Sequence, residues 1–212
     1  MRKSKINYFV SSEISNNQLT QLMNFYGSDK GGKSKIHNFS DYYSLIFYFK
    51  KNQIKNLLEV GLSTNNINLP SNMGTDGNPL ASLRAWQDYF ENADIYGADI
   101  DKTILQNEGR IRTFFVDQTC KSSIEAMFKN IGNVLFDIII DDGLHKFEAN
   151  INLFENSFKH LSKEGIYIIE DVYSKDKEKF FDYFKKNNYN FCIVDIFHTK
   201  NISNNSIIKI YN

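Results

Sequence analysis

Two stretches of this chain combine residue types and spacing that could do chemistry. An apolar run, Phe136-Asp137-Ile138-Ile139-Ile140, stops abruptly at Asp141-Asp142-Gly143-Leu144-His145. A second run, Gly165-Ile166-Tyr167-Ile168-Ile169, stops at Glu170-Asp171. Continuous runs rich in β-branched residues read as strands buried on both faces, as in a parallel sheet covered by helices. Ligands of such sheets bind just beyond the carboxyl ends of the strands. Two neighbouring strands would deliver Asp141, Asp142, His145, Glu170 and Asp171 to one rim. Oxygen donors gathered there suit a hard divalent cation, and the imidazole beside them suits a general base. The plainer alternative is that these polar residues only cap the helices that follow. A single such ending would be unremarkable; two of this composition favour a site.

Three more strand ends extend the rim. Glu59 and Gly61 close an apolar run over residues 56–60, and a glycine there lets the backbone approach a ligand. Asp99 closes a run over 94–99, where a carboxylate can take both hydroxyls of a ribose. Asp117 follows a run over 112–116, within reach of an adenine amino group. Each is weak alone, but their order on successive strands points to an adenosine-containing ligand. A nicotinamide dinucleotide would ask for Gly-x-Gly-x-x-Gly in the first turn. Here the turn is Gly61-Leu62-Ser63-Thr64-Asn65-Asn66, with one glycine and a long loop before the next helix. That suits S-adenosylmethionine, which has no phosphate to cradle.

The elements that must position these groups alternate along the chain. After the strand at 56–60 come a helix over 81–90, strands at 94–99 and 112–116, and a helix over 122–130. The strand at 136–140, a helix over 147–161, a strand at 166–169 and a helix over 176–186 follow. Two final runs, 191–197 and 206–211, flank an Asn-rich turn and read as an antiparallel pair. The expected fold is α/β: a doubly wound, Rossmann-like, mostly parallel sheet with an antiparallel C-terminal edge strand. Residues 1–52 read as a helical cap, with helical spacing over 14–25 and 42–49 around the polar turn Tyr26-Gly27-Ser28-Asp29-Lys30-Gly31-Gly32. Residues 53–212 form the core, so 1–212 is one domain. The segment 62–79 holds both prolines and is long enough to be functional; it either covers the acceptor or packs on a neighbouring subunit, which leaves a homo-oligomer open.

Composition narrows the partners. Lys+Arg and Asp+Glu both total 25, and a neutral chain without a basic block argues against nucleic acid. Two cysteines, Cys120 and Cys192, make neither a disulfide framework nor a metal site. No run approaches a membrane span, and Arg2, Lys3 and Lys5 are followed by no apolar signal region, so the expected compartment is cytoplasmic.

Taken together, these motifs resemble class I S-adenosylmethionine-dependent methyltransferases, nearest to the metal-dependent sugar O-methyltransferases of macrolide and polysaccharide pathways. The resemblance runs from Tyr26 to Val172 through Tyr26-Gly27-Ser28-Asp29-Lys30-Gly31, Ser71-Asn72-Met73-Gly74, Ala81-Ser82-Leu83-Arg84-Ala85-Trp86, Tyr96-Gly97-Ala98-Asp99-Ile100-Asp101, Val116-Asp117-Gln118-Thr119 and Asp141-Asp142-Gly143-Leu144-His145. It implies that Glu59 and Gly61 line the methionine and ribose side of the cofactor, that Asp99 binds the ribose and that Asp117 binds the adenine. Asp142, Glu170 and Asp171 would hold Mg2+ or Mn2+, with His145 as the base. Asp141 is placed with the cofactor set, although alternation along a strand can turn it into the sheet while Asp142 faces the metal. Most class I members carry a second glycine where this chain has Ser63, and a positive φ required there would be strained.

Tyr26, Asp29 and Lys30 would close over the cofactor as a lid, or Asp29 and Lys30 would pair with each other. His37 could reach the acceptor or stand as a solvated loop histidine. The implied reaction is metal-assisted O-methylation of a hydroxylated small molecule, a sugar, sugar nucleotide or phosphorylated intermediate of surface-polysaccharide assembly. A metal-independent methyltransferase using His145, a Rossmann-like NAD-dependent oxidoreductase or epimerase, and a non-catalytic adenosine-binding domain stand as alternatives. The missing glycine fingerprint counts against the dinucleotide reading.

Overall fold

A computed structural model of the chain describes residues 5–10, 16–33, 36–75 and 77–212, without the side chains of Lys5 and Ile6. Eight strands make one sheet: β1 (Lys5–Phe9), β2 (Asn56–Val60), β3 (Asp94–Asp99), β4 (Ile111–Phe115), β5 (Phe136–Asp141), β6 (Leu161–Ile169), β7 (Asn190–Ile196) and β8 (Ser206–Tyr211). Their order is β1-β7-β8-β6-β5-β2-β3-β4. Only the pairings of β8 are antiparallel, one to β6 and one to β7. The antiparallel strand therefore lies inside the sheet, with β7 and β1 beyond it. The chain winds outward in both directions from β2 and β5, so the switch in strand order falls where the sequence places the acids.

Six helices cover the sheet: α1 (Gln18–Tyr26), α2 (Phe39–Phe47), α3 (Ala81–Tyr89), α4 (Lys121–Ile131), α5 (Phe147–Ser157) and α6 (Lys177–Lys186). Strand alternation divides the core in two. Leu57, Ile95, Ile138, Ile140 and Ile168 face α1, α2 and α3 in an aromatic layer of Phe39, Tyr43, Phe47 and Trp86. Leu58, Val60, Ile139, Tyr167 and Ile169 face α4, α5 and α6 through Phe128, Phe154 and Phe184. Both faces of these strands are buried, so the acids at their ends either find polar partners inside the protein or open toward the end of the sheet.

Local signals set the route into the site. Asn17 caps α1 by accepting from Thr20 N at 2.9 Å, and Gly27, at φ 82°, ends it in the left-handed conformation. Ser28 then accepts from Lys30 N at 3.3 Å, starting a 3-10 turn over Asp29–Gly31.

Three expectations shift. The N-terminal segment carries β1 as well as helices, pairing in parallel with β7. The helix expected over 14–25 starts at Gln18, and residues 14 and 15 lie outside the described residues. The helix expected over 147–161 ends at Ser157, whose hydroxyl bonds back to Leu153 O at 2.6 Å; a 3-10 turn leads into β6 at Leu161. Among the described residues no helix is long and apolar enough to cross a membrane.

Candidate active site

The ends of β2, β3, β5 and β6 enclose a cavity of 270 Å³. Gly61, at φ 99°, forms its floor, and a Cβ there would lie 2.0 Å from the carbonyl oxygen of Asp142. The glycine is demanded by the neighbouring strand end as much as by a ligand. Asp99 Oδ2 accepts from Leu62 N at 2.7 Å and Oδ1 from Asp101 N at 2.8 Å. These bonds fix the carboxylate at the cavity wall and leave each oxygen a second lone pair. Burial pushes the Asp99 carboxyl above its ordinary value. Asp117, also in the wall, is held by Thr119 N at 2.9 Å and Thr119 Oγ1 at 2.6 Å. Ser63, Ser71 and Met73 bring the 62–75 segment over the cavity.

Behind the rim lies a buried acid cluster built around one lysine. Lys30, 2% exposed, places Nζ against Asp142 Oδ2, 2.7 Å from Glu170 Oε2 and 3.4 Å from Glu59 Oε1. Burial alone would push the ammonium pKa down, but these carboxylates outweigh it and hold the pKa well above the lysine range. Tyr43 donates to Glu170 Oε1 at 2.5 Å, and Glu59 accepts from Ser82 Oγ at 2.8 Å and Trp86 Nε1 at 2.6 Å. Burial raises the Glu170 and Asp142 carboxyls, because one ammonium serves three acids.

A second basic partner enters beside it. His37 Nε2 lies 3.2 Å from Asp171 Oδ1, while its Nδ1 is 2.9 Å from Asn205 Oδ1. Burial lowers its pKa, and the Asp171 carboxylate more than offsets that, so the His37 pKa is raised above the ordinary histidine value. Asp171 is correspondingly lowered, His37 overcoming the effect of burial. His145 Nε2 stands 3.6 Å from Asp171 Oδ2 and 4.0 Å from Asp142 Oδ1. Burial depresses the His145 pKa, favouring the neutral ring, and its Nδ1 is buried without a hydrogen-bond partner among the described residues.

The donor set fits a divalent cation. One ligand atom each from Asp142, His145 and Asp171 lie within 4.8 Å of one another. Four carboxyl groups, Glu59, Asp142, Glu170 and Asp171, gather around Lys30 and His37, which makes the rim rich in oxygen donors. The carboxylate oxygens of Asp142 and Asp171 are hard donors of the kind Mg2+ or Mn2+ accepts, and the His145 imidazole is the softer group beside them. Backbone strain converges on the same place. Six non-glycine residues have positive φ, and four of them, Ser63 (62°), Ser71 (56°), His145 (55°) and Asp171 (53°), line this cavity. Such conformations cost free energy and persist where the surroundings impose them.

Several residues sit elsewhere than the sequence suggests. Glu59 lies beneath the cavity, its oxygens taken by Lys30, Ser82 and Trp86. Asp141 is fully buried and turned away, bonded to Gln118 Nε2 at 2.6 Å and Asn150 Nδ2 at 2.8 Å. Glu170 points inward to Lys30 and Tyr43, which leaves Asp142 and Asp171 as the carboxylate donors beside His145. Tyr26 bonds Asp88 at 2.6 Å on α3 and does not line the cavity. Lys30 is no lid residue but the buried counter-ion; Asp29 lines the cavity mouth. His37 is buried, not solvated. Gln118 was missed as a positioning residue: it joins Asp141 to Leu144 N, which it accepts at 2.8 Å, and so sets the turn before His145. No local signal distinguishes it, because both partners come from another strand.

The sheet and its rim have the fold of class I S-adenosylmethionine-dependent methyltransferases, to which the chain is similar. Within that class, its similarity is to sugar O-methyltransferases of macrolide and polyketide pathways. It is 31% identical over 150 residues to 8-demethyl-8-alpha-L-rhamnosyl tetracenomycin-C 2'-O-methyltransferase of Streptomyces olivaceus, covering 69% of this chain and 35% of that one. It is 32% identical over 157 residues to mycinamicin VI 2''-O-methyltransferase of Micromonospora griseorubida, covering 74% and 36%. Among solved structures, MycE methyltransferase in complex with Mg and SAH superposes with a TM-score of 0.61 at 31% identity, covering 78% of this chain and 42% of that one. The complex that also holds mycinamycin VI gives 0.59 at 31%, covering 73% and 39%. The chain thus spans about a third of the length of the curated relatives it matches. No family model matches it.

Proposed function

We propose that the chain is an S-adenosylmethionine-dependent O-methyltransferase, assisted by Mg2+ or Mn2+, acting on a hydroxyl of a small glycosyl acceptor. The finer reading is a sugar, sugar nucleotide or phosphorylated intermediate of surface-polysaccharide assembly. The observation that carries the proposal is the triad of Asp142, His145 and Asp171, with ligand atoms within 4.8 Å of one another, at the mouth of the cavity that Asp99 and Asp117 line. The names of the relatives, which are sugar hydroxyl methyltransferases, support the acceptor class.

In this reading Asp99 takes the ribose hydroxyls and Asp117 the adenine amino group, with Gly61 and Ser63 along the cofactor. Asp142 and Asp171 hold the cation. When bound, the sulfonium supplies an electrophilic methyl and the cation lowers the pKa of the acceptor hydroxyl. The neutral His145 takes the hydroxyl proton at Nε2, and Asp171 then faces the imidazolium so formed. Lys30 keeps Asp142 fixed in direction, and Gln118 and Asp141 hold the turn that carries it.

Thermal stabilisation by S-adenosylmethionine, S-adenosylhomocysteine and NAD, each with Mg2+ and with EDTA, tests the proposal, since a ligand of the folded state raises the midpoint. A rise with the two adenosyl ligands alone, and a further Mg2+-dependent rise that Asp142→Asn with Asp171→Asn removes, is expected. A rise with NAD only would make the oxidoreductase reading the better one.

A further inference from the structure

A second cleft, of 380 Å³, opens beside the cofactor cavity and shares Ser71, Leu144 and His145 with it. The two spaces therefore meet at the proposed base. The further walls of this cleft include Lys146, Lys175 and Lys179, with Glu148 and Asp176. Its charges are not evenly matched. Lys179 donates to Asp176 at 2.8 Å, so that acid is taken, and Glu148 makes no ion pair among the described residues. Lys177, just outside, is taken by Asp195 at 2.5 Å. Lys146 and Lys175 make no ion pair among the described residues.

Two features hold that positive charge in place. Lys175 Nζ lies over the ring of Tyr173, 5.5 Å from its centroid, which confines a long side chain. Lys146 stands at the N-cap of α5, and no side chain caps that helix. The unbonded N–H groups of its first turn add their partial positive charge next to the lysine. A neutral sugar would gain only single-ion hydrogen bonds from these two ammonium groups, whereas a phosphoryl or carboxylate group would add the attraction of opposite charges.

We infer that this cleft seats the methyl acceptor, and that Lys146 and Lys175 receive an anionic group, phosphoryl or carboxylate, carried by it. The inference rests on the methyltransferase reading and narrows its substrate to anionic glycosyl compounds.

The test uses the whole chain saturated with S-adenosylhomocysteine, so that nothing turns over. Calorimetry then reads the binding of glucose 1-phosphate, glucuronate and glucose, first with Mg2+ and then with EDTA. At least one anionic probe is expected to bind about tenfold more tightly than glucose. That margin should persist in EDTA, which excludes an anion held only by the metal, and should shrink as salt is raised. The double variant Lys146→Ala with Lys175→Ala should lose the margin and keep its affinity for S-adenosylhomocysteine. Whichever anionic probe binds tells phosphoryl from carboxylate recognition. Equal binding of all three probes, no binding of either anion, a margin lost in EDTA, or a margin kept in the double variant overturns the inference. Binding of S-adenosylhomocysteine is read before any sugar is added, so failure of the parent reading is seen separately and takes this inference with it.

Discussion

Lys30 Nζ stands 2.7 Å from Glu170 Oε2, and that contact turns inward a carboxylate which its strand-end position would assign to the proposed cation site. The sheet delivers two adjacent acids at the end of β6, and the N-terminal segment decides which one is used. Glu170 is turned to Lys30 and Tyr43, and Asp171, forced to φ 53°, faces His37 and His145.

Removing the ammonium should expose how strongly this arrangement is held. Lys30→Met leaves Glu59, Asp142 and Glu170 buried without a counter-charge, and should cost about 3–5 kcal/mol. Adding Glu170→Gln to that variant should cost less than the sum of the two single changes, because the partners share one network. Urea denaturation of the three variants measures both quantities; strict additivity would show that the two residues act separately.

Two positions in the first turn should respond in opposite ways. Gly61→Ala drives a methyl group into the Asp142 carbonyl and should destabilise by at least about 3 kcal/mol, with loss of cofactor binding. Ser63 already occupies φ 62°, so Ser63→Gly should stay within about 1 kcal/mol of the parent, while Ser63→Val should be clearly worse. Denaturation midpoints of the three variants check this.

His145 is the group whose loss should strike the reaction and spare binding. His145→Gln should lower turnover about a hundred- to ten-thousand-fold with little change in S-adenosylhomocysteine affinity. Burial depresses its pKa, so the acid limb of kcat/KM should fall below the ordinary histidine value of 6.5. A limb at or above that value, absent from no variant, would assign the base elsewhere.

Asp141 gives a stability signature in pH. Burial pushes its carboxyl up from 3.8 to about 7, against the bonds from Asn150, Gly143 and Gln118. The folded state therefore binds this proton more tightly than the unfolded chain does. The stability it contributes is fully present below pH 3.8 and is lost as pH rises through 7. Asp141→Asn should remove that decline from the midpoint-against-pH curve; an unchanged slope would mean that Asp141 is ionised throughout.

The sheet was legible because its signals are local. Apolar runs such as Ile138-Ile139-Ile140, and acids at their ends, announce buried strands and a rim without knowledge of the rest. Asp142 and Asp171 were legible as acids of the rim, and His145 as the imidazole beside them, for the same reason. The directions of Glu59, Asp141 and Glu170 were not, since each is turned by a partner distant in sequence: Trp86, Asn150 and Lys30. β1 was missed on similar grounds, because Lys5-Ile6-Asn7-Tyr8-Phe9 alternates weakly and is a strand only by pairing with β7. Ser63 is the reverse case. Its strained φ followed from a missing glycine, and the structure holds the serine at that angle.

Lys30 and His37 come from outside the doubly wound core, yet they reach all four of its clustered acids, Lys30 contacting Glu59, Asp142 and Glu170 and His37 contacting Asp171. Lys30 and His37 thus belong to a wall of the candidate site and not to a door into it. Withdrawing them would strand several carboxylates in a low-dielectric interior, so in the proposed reading ligands enter from the other side, past the 62–75 segment and His145. The same logic makes the core a poor unit for recombination. Grafted without its N-terminal segment, it would carry its strands and lose the charges that let their ends meet.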